Sequence, residues 1–474
     1  MNKFYITTAI PYPNGKPHLG FALEIIIADV LARFNRLVGK NVHFLTGTDE
    51  HGLKVYQSAQ AENIDFQKYV DRNSAEFAQL KEVLDISYDD FIRTTDQKRH
   101  YPAVTKLWEK CLENGKIYKK TYQGLYCVGC EEFKSEKDLV EGLCPEHKCI
   151  PEKVEEENYF FKLSDFTEEI KSLIEKGEIN IIPQQRKNEV LSLLKQGAED
   201  FSISRPRERI SWGIPVPGDD SQTIYVWFDA LVNYISAIGF GWDEKEFEKW
   251  WPTDIHVIGK GIARFHAIYW PAMLLAAKIA LPKNVLIHGY VTVGGEKISK
   301  SLGNAISPKD VIEKYGPAAK DALRYFLLRY IPTTDDGNFS FEEFERIYNA
   351  DLANGLGNLV ARVARLCEQN NIVCSDDLNQ RSISLEVGLN INLYQLNKAL
   401  NFIWSEITEA DKKINEEKPW ELSSEKAQPV LEDLVGKIQQ IAFNLKPFLP
   451  ETSEKILSQF SDEIKVQPPL FPRI

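Results

Sequence analysis

The N-terminal part of the chain alternates short apolar runs with longer amphipathic ones. Residues 4–10 (FYITTAI) and 42–46 (VHFLT) are rich in β-branched and aromatic side chains and predict strands, with a helical pattern over 21–37 between them. Strand, turn, helix and strand in succession are typical of a parallel sheet. The pattern resumes at 255–260 (IHVIGK) and 285–293 (VLIHGYVTV). The sequence therefore predicts an α/β protein with a Rossmann-type parallel sheet that a long insert splits.

The C-terminal part of the chain follows a helical pattern throughout. Apolar residues recur in alternating steps of three and four along 393–407 (Leu393, Leu396, Leu400, Ile403, Ile407) and again along 431–445. Such stripes bury one face of each helix in an antiparallel bundle. The predicted organisation is a Rossmann domain in two halves (1–113 and 226–288) that are separated by an insert (114–225). A loop-containing connection (289–347) and an all-α helical bundle (348–474) follow.

Composition and charge change this picture little. Hydrophobic residues make up 43% and charged residues 27% of the chain, as in ordinary globular proteins. No apolar run reaches the ~18–20 residues that span a bilayer, and the N-terminus lacks the regions of a signal peptide, so we expect a cytoplasmic protein without a membrane association. The net charge of −12 does not mark a nucleic-acid binder, but local basic patches decide that property.

The first candidate site is PHLGF, which lies between a predicted strand and a predicted helix. A helix N-terminus presents unpaired N–H groups and attracts phosphate. Gly20 removes a side chain that would hold a nucleotide away, and His18 can donate a hydrogen bond to a phosphoryl oxygen as charge builds up. The alternative is a helix start with a capping histidine.

The second candidate site is KISKS, with glycines on both sides. Lys297 and Lys300 flank Ser299 in a loop that can close on the pyrophosphate of ATP. The alternative is a solvated turn of lysine and serine. Together the two sites resemble the paired HIGH and KMSKS signatures of class I aminoacyl-tRNA synthetases, in the order found in that class.

Further segments resemble the methionyl-tRNA synthetase family over nearly the whole chain. They are AIPYPNGKPHLG, FLTGTDEHG, GLYCVGC, SRPRERISWGIPVP, YVWFDALVNY, FHAIYWPAML, ISKSLGN, DALRYFLLR and NEEKPWEL. The resemblance implies a methionine–tRNA ligase that forms methionyl-adenylate from L-methionine and ATP with Mg²⁺, then transfers the methionyl group to tRNA(Met). It also implies that 289–347 carries the KMSKS loop and contacts the tRNA stem, and that 348–474 binds the anticodon. Because no appended dimerisation domain follows the bundle, we expect a monomer.

The resemblance also implies a methionine pocket. Trp227, Ala230 and Tyr234 are spaced to share one helical face, and a thioether gains from contact with aromatic edges. The alternative is that such stripes are ordinary core. Asp49 corresponds to the carboxylate that holds the α-ammonium group of the substrate. The implied pocket residues are Ile10, Tyr12, Asp49, Trp227, Ala230, Tyr234, Ile262, Phe265, His266 and Trp270.

Two residues of the implied ATP site depart from the family pattern. Phe21 stands where the HIGH element ends in histidine, and Gly261 stands where many relatives carry aspartate near the ribose. Arg205 matches a basic residue near the phosphates. The catalytic residues implied are His18, Lys297 and Lys300, and the ATP-binding residues are His18, Gly20, Phe21, Arg205, Gly261, Lys297, Ser299 and Lys300.

A cysteine and histidine cluster lies in the insert. Cys127 and Cys130 are followed by Cys144 and His147, and four such ligands in two pairs suit one tetrahedral, structural Zn²⁺. Four buried residues without a metal are the alternative, and Cys149 could compete as a ligand.

The helical bundle holds a further set of candidates. Asn358 and Arg362 are one helical turn apart, and Trp420 stands in EKPWEL. They match the anticodon readers of the family, in which an indole stacks on a base beside hydrogen-bonding side chains. The alternative for Trp420 is a hydrophobic staple after Pro419.

Other functions stay open at this point. Other class I synthetases are disfavoured, because the isoleucyl, valyl and leucyl enzymes carry a large editing domain and the insert 114–225 is short. A small-molecule nucleotidyltransferase would not explain the bundle. A non-catalytic tRNA-binding paralogue is suggested by Phe21 and Gly261.

Overall fold

The computed structural model describes residues 2–127, 132–134, 138–145, 148–298, 304–374 and 381–474. Within these ranges the strands are β1 Lys3–Thr8, β2 Asn41–Thr48, β3 Asp90–Arg93, β4 Ile117–Cys127, β5 Glu132–Lys134, β6 Glu152–Phe161, β7 Asn180–Ile182, β8 Phe201–Ser202, β9 Ser204–Pro206, β10 Pro215–Val216, β11 Asp219–Ile224, β12 Ile255–Gly259, β13 Asn284–His288, β14 Val291–Val293, β15 Glu296–Lys297 and β16 Gly337–Phe339.

The helices of the same ranges are α1 Leu19–Leu37, α2 Leu53–Ala61, α3 Phe66–Ala78, α4 Leu80–Val83, α5 His100–Glu113, α6 Thr167–Lys176, α7 Gln184–Lys195, α8 Val226–Leu231, α9 Asn233–Ser236, α10 Glu244–Trp250, α11 Trp270–Ala276, α12 Pro308–Tyr315, α13 Ala319–Arg329, α14 Phe341–Ile347, α15 Asn358–Gln369, α16 Leu385–Asn392, α17 Leu396–Glu417, α18 Ser424–Leu445 and α19 Pro450–Gln459. Two π-helical segments, Phe265–Tyr269 and Tyr348–Gly357, precede α11 and α15. No helix among the described residues is both long and apolar enough to cross a lipid bilayer.

The chain divides into two compact units, each built from three separate segments. The first unit is Met1–Pro17, Asn41–Gln79 and Tyr88–Ile287, and the second is His18–Lys40, Leu80–Ser87 and His288–Ile474. The predicted insert, 114–225, belongs to the first unit together with the Rossmann strands.

A six-stranded parallel sheet forms the centre of the first unit, in the order β3-β2-β1-β12-β13-β7. Tyr5 and Ile6 of β1 are fully buried, as expected for a strand in a parallel sheet that is covered on both faces. The predicted α/β class is confirmed. The edge strand β7 comes from within 114–225, so this stretch also contributes to the central sheet.

Two smaller antiparallel sheets complete the first unit. One has the order β5-β4-β6-β8 and the other β10-β11-β9. Large aromatic side chains fill the core beside them, and Trp108, Phe228 and Trp270 are fully buried.

One strand predicted as continuous is divided. We expected 285–293 to be continuous, but β13 ends at His288 and β14 joins a separate sheet of order β15-β14-β16. The division falls at Gly289, where an added Cβ would lie 2.1 Å from the carbonyl oxygen of Asp335. A neighbouring backbone therefore crosses at the point where the strand breaks.

The apolar stripes of the C-terminal part fill the interior of a helical bundle. Leu400 and Ile403 of α17, and Leu434 and Ile438 of α18, are at most 1% exposed. The prediction was wrong for Leu393, which lies outside α17 and is 53% exposed. Its spacing matches the stripe, but the helix that carries the stripe begins only at Leu396.

Candidate active site

Two aromatic side chains of the first unit form a flat wall. The Trp227 indole, on α8, stacks on the Phe265 ring with centroids 3.5 Å apart and planes inclined by 5°. The indole Nε1 of Trp227 is buried without a hydrogen-bond partner in the described part of the chain. The stacked ring faces are polarizable, which suits contact with a thioether.

A buried polar pair lies in the same hydrophobic cluster. The Tyr234 hydroxyl lies 2.6 Å from Nε2 of His266, and Nδ1 of His266 lies 3.0 Å from the carbonyl oxygen of Ile262. A carbonyl only accepts, so Nδ1 carries the proton and Nε2 accepts from Tyr234. Burial lowers the pKa of His266 to about 4, so this imidazole is neutral at pH 7.

The segment that carries these residues is not a uniform helix. Ile262 closes a 3-10 turn, Phe265–Tyr269 is π-helical, and α11 begins at Trp270. The wider π turn presents Phe265 to Trp227 and His266 to Tyr234. Such turns are frequent at functional sites. Three kinds of turn thus carry the predicted pocket residues Ile262, Phe265, His266 and Trp270.

Three predicted pocket residues come from the ends of β1 and β2. Ile10 packs against the cluster that contains Phe265 and Tyr234. Asp49 is 4% exposed, and its backbone N–H donates to the carbonyl oxygen of Pro11 at 3.1 Å. A Cβ on Gly52 would lie 2.8 Å from the Tyr12 ring, so the glycine lets that ring pack against the loop after β2.

The residues after Asp49 are held by buried hydrogen bonds that no motif in the sequence indicates. Glu50 accepts from Ser74 Oγ and from Arg93 Nε, each at 2.6 Å. The Nδ1 atom of His51 lies 2.6 Å from Oδ2 of Asp229. A charged residue at a buried position of an apolar helix, as in YVWFDAL, is the sequence signal that could have found Asp229.

Three further predicted residues of the first unit are Ala230, Gly261 and Arg205. Ala230 is 5% exposed on α8, and Gly261 is exposed on the 3-10 turn before Ile262. Arg205 is buried, and its Nη1 donates to Ser202 Oγ at 2.8 Å. Its guanidinium lies 4.1 Å from the ring centroid of Tyr225. A cavity of about 430 Å³ is lined by residues that include Arg205, Trp227 and Phe265.

In the second unit, His18 forms the N-cap of α1. Its Nδ1 accepts a hydrogen bond from the Gly20 N–H at 3.0 Å. A Cβ on Gly20 would lie 2.8 Å from Cε1 of His18, so only glycine leaves room for the ring to fold over the helix start. Phe21 is 8% exposed and belongs to the core. Both the capping reading and a phosphate-binding role agree with this geometry.

The KISKS segment is described only in part. The backbone of Lys297 lies in β15 and pairs with Thr292, in a hairpin whose turn contains Gly294 and Gly295 with positive φ. Ser299 and Lys300 lie outside the described residues. Further along, the carbonyl oxygen of Ile306 accepts from the Leu19 N–H at 3.0 Å, which brings the chain beyond KISKS to the start of α1.

Comparisons with known proteins agree with this arrangement. The family model "tRNA synthetases class I (M)" matches residues 4–154 and 147–364. The methionine–tRNA ligase of Thermotoga maritima is 42% identical over 98% of this chain and 76% of its own length. That of Brucella suis is 41% identical over 99% of this chain and 98% of its own.

This chain belongs to the methionyl-tRNA synthetase family. A solved structure of Mycobacterium tuberculosis methionyl-tRNA synthetase with methionyl-adenylate aligns over 100% of both chains, with a TM-score of 0.90 and 36% identity. The apo form of that protein aligns over 100% of this chain and 98% of its own, with a TM-score of 0.83 and 33% identity.

The predicted zinc ligands of this synthetase are described in part. Cys127 at the end of β4 and Cys144 are fully buried, while Cys130 and His147 lie outside the described residues. Sγ of Cys127 lies 3.7 Å from Sγ of Cys149. Two thiolates on one tetrahedral zinc, each with a bond of about 2.3 Å, are separated by about 3.8 Å. This spacing fits two thiolates on one zinc, but it involves the half-buried Cys149, the competing ligand, and not two of the four predicted positions. No cluster of three ligands occurs among the described residues.

The predicted anticodon readers of the synthetase lie close together in the second unit. Arg362 donates to Asp411 Oδ1 at 2.8 Å and to Asn415 Oδ1 at 2.7 Å, and its guanidinium lies 5.9 Å from the Trp420 ring centroid. Trp420 is 49% exposed, whereas Pro419 beside it is buried. Asn358 is exposed at the start of α15. An exposed indole beside a fixed guanidinium can stack on an unpaired base.

Proposed function

We infer that this chain is a methionine–tRNA ligase, which activates methionine with ATP and transfers the methionyl group to tRNA(Met). The stacked pair of Trp227 and Phe265 carries this proposal, because it forms a polarizable wall beside the neutral Tyr234–His266 pair. The family membership supports it over nearly the full chain.

We propose that the methionine side chain lies against this aromatic wall. Trp270, Tyr234 and Ile262 complete the apolar surroundings, and Ala230 leaves room for the thioether. Asp49 binds the α-ammonium group of the substrate through a charge-assisted hydrogen bond. Ile10 and Tyr12 border the pocket from the loop after β1.

The substrate carboxylate is the nucleophile of the first step. It attacks the α-phosphorus of ATP, and pyrophosphate leaves with the electron pair of the broken bond. Catalysis is then positioning and charge stabilisation. We propose that His18, Lys297 and Lys300 donate to the phosphates, and that Gly20 and Ser299 give the backbone close access. Mg²⁺, when bound with ATP, would neutralise part of the phosphate charge.

In the second step, the terminal ribose hydroxyl of the tRNA attacks the methionyl carbonyl, and AMP leaves. We propose that Asn358, Arg362 and Trp420 select the tRNA by its anticodon. We accordingly propose that 348–474 is the anticodon-binding bundle and that 289–347 carries the KMSKS loop and contacts the tRNA stem.

Arg205, Phe21 and Gly261 border the ATP nucleotide in this proposal.

We further propose one structural zinc held by Cys127, Cys130, Cys144 and His147. With all four ligands supplied by the protein, the zinc would stabilise the insert 114–225 and would take no part in the reaction. We propose a cytoplasmic monomer, for which light scattering coupled to size-exclusion chromatography is the measurement.

Methionine-dependent exchange of pyrophosphate into ATP tests the function. We expect exchange with methionine but not with isoleucine, valine or cysteine, and charging of tRNA(Met) in a second assay. Exchange stimulated by one of the other amino acids would assign a different class I synthetase. A protein that binds tRNA(Met) without exchange would be the non-catalytic paralogue.

A further inference from the structure

Asp229 joins two histidines from distant parts of the first unit. Its side chain is fully buried, with Oδ2 2.6 Å from Nδ1 of His51 and Oδ1 2.7 Å from Nε2 of His100. His51 follows β2, His100 begins α5, and Asp229 lies on α8. One carboxylate therefore connects three elements.

The carboxylate determines which nitrogen of each ring must carry a proton. An ionised carboxylate only accepts hydrogen bonds, so Nδ1 of His51 and Nε2 of His100 both carry protons. Burial acts to raise the pKa of Asp229, but His51 and His100 more than offset it and the pKa is lowered. The second nitrogen of His100 lies 2.9 Å from Ser236 Oγ, so that ring is held at both ends.

The two connected elements carry the two halves of the proposed amino-acid site. Asp229 stands between Trp227 and Ala230 on α8, and His51 stands two residues after Asp49. The backbone carbonyl of His51 is also fixed, because it accepts from Trp212 Nε1 at 2.9 Å. The bond between Asp229 and His51 thus joins the loop that carries Asp49 to the helix that carries the aromatic wall.

A buried carboxylate is a costly means of holding a fold, because well-packed apolar residues of similar volume stabilise as well or better. Two directed bonds to imidazole nitrogens supply orientation, which an apolar side chain does not. We propose that Asp229 is a positioning residue for amino-acid binding, which sets the place of Asp49 relative to Trp227 through its bonds to His51 and His100. This inference rests on the proposed function.

Asp229→Asn tests the inference with almost no change in volume. The new amide nitrogen carries protons and faces an imidazole N–H, so one ring must change tautomer or move. In pyrophosphate exchange, we expect the methionine KM to rise by about 10- to 100-fold, the range for losing a bond to a charged group, with the ATP KM unchanged. His100→Gln keeps an N–H donor toward Asp229 and should stay closer to the wild-type KM than His100→Leu.

Asp321→Asn is the matched control. Asp321 is also buried, but it lies in the second unit and accepts from the Thr452 N–H at 2.7 Å. We expect its methionine KM to match the wild type, whatever change in the unfolding midpoint it shares with Asp229→Asn. A folded Asp229→Asn protein with the wild-type methionine KM would overturn the inference, as would equal increases in the methionine and ATP KM. Lack of exchange in the unmodified protein would instead refute the proposed function.

Discussion

The phenolic oxygen of Tyr234 lies 2.6 Å from Nε2 of His266, in the interior of the first unit. Because Nδ1 of His266 donates to the carbonyl of Ile262, the neutral ring is the form that both partners satisfy. Protonation of Nε2 would make the Tyr234 hydroxyl the acceptor and force its own proton to turn toward apolar surroundings. The pKa of His266, lowered to about 4 by burial, follows from the same surroundings.

We predict that this histidine makes the protein less stable in acid. Its folded pKa of about 4 lies below the unfolded value of about 6.5, so between these pH values only the unfolded chain binds the proton. The contribution of His266 to the free energy of unfolding is fully present above about pH 6.5. It is lost as the pH drops toward 4, by about 3 kcal/mol in total. Urea unfolding at several pH values should show a smaller decline for His266→Gln. Equal declines for the two proteins would contradict the prediction.

We predict that Trp227→Ala impairs methionine binding. The variant loses the stacked wall against Phe265, which contributes roughly 0.5–1.5 kcal/mol beyond the buried area, so the methionine KM should rise about tenfold or more. The ATP KM should change little. Pyrophosphate exchange with varied methionine is the measurement, and Trp420→Ala is the control with an equal change in side chain. A methionine KM that stays at the wild-type value would remove Trp227 from the pocket.

We predict the reverse result for Trp420→Ala. Its indole is 49% exposed beside Arg362, so the fold does not depend on it. Stacking on one base contributes about 1–3 kcal/mol, and charging of tRNA(Met) should weaken accordingly. Methionine-dependent exchange should stay at the wild-type level. Equal losses in exchange and in charging would show that Trp420 has a structural role.

We predict that the start of α1 tolerates a change at Phe21 but not at His18 or Gly20. His18→Ala removes a donor to developing charge, which typically costs ~10²–10³ in rate. Gly20→Ala should lose a comparable factor, because the new Cβ would lie 2.8 Å from the His18 ring. Because His18, Lys297 and Lys300 retain the main phosphate donors, Phe21→His should change adenylation by less than about tenfold. An inactive native protein that Phe21→His activates would favour the non-catalytic paralogue.

We predict one tightly bound zinc per chain. Cys144→Ser should lose the metal and lower the unfolding midpoint, because a structural zinc contributes directly to folding. Cys149→Ser should keep the metal, since His147 fills the fourth position in our proposal. X-ray absorption that shows four sulfur ligands in the native protein, together with zinc loss in Cys149→Ser, would assign Cys149 as the ligand instead. Native protein without zinc would refute the site.

Much of the architecture was predictable because its signals are local. β1 and α1 follow from residue types that recur with the period of a strand or a helix, and glycine-rich turns separate them. The stripes of α17 and α18 were predicted for the same reason. The break at Gly289 was not predictable, because the backbone of Asp335 that crosses there is distant in the sequence. The adjacent hydrogen bond, from the Tyr290 N–H to Asp336 Oδ1, joins residues that are 46 positions apart.

The α/β class, the helical C-terminal part and the family could be inferred from the amino-acid sequence, because periodicity and short motifs are carried by neighbouring residues. How polar groups pair in the interior is visible only in the folded chain. His51 and Asp229 are 178 residues apart, and Tyr234 and His266 are 32 residues apart. Pairings at such separations depend on the folded backbone that brings the side chains within hydrogen-bond distance. They decide which ring nitrogen carries a proton, and no local pattern contains that information.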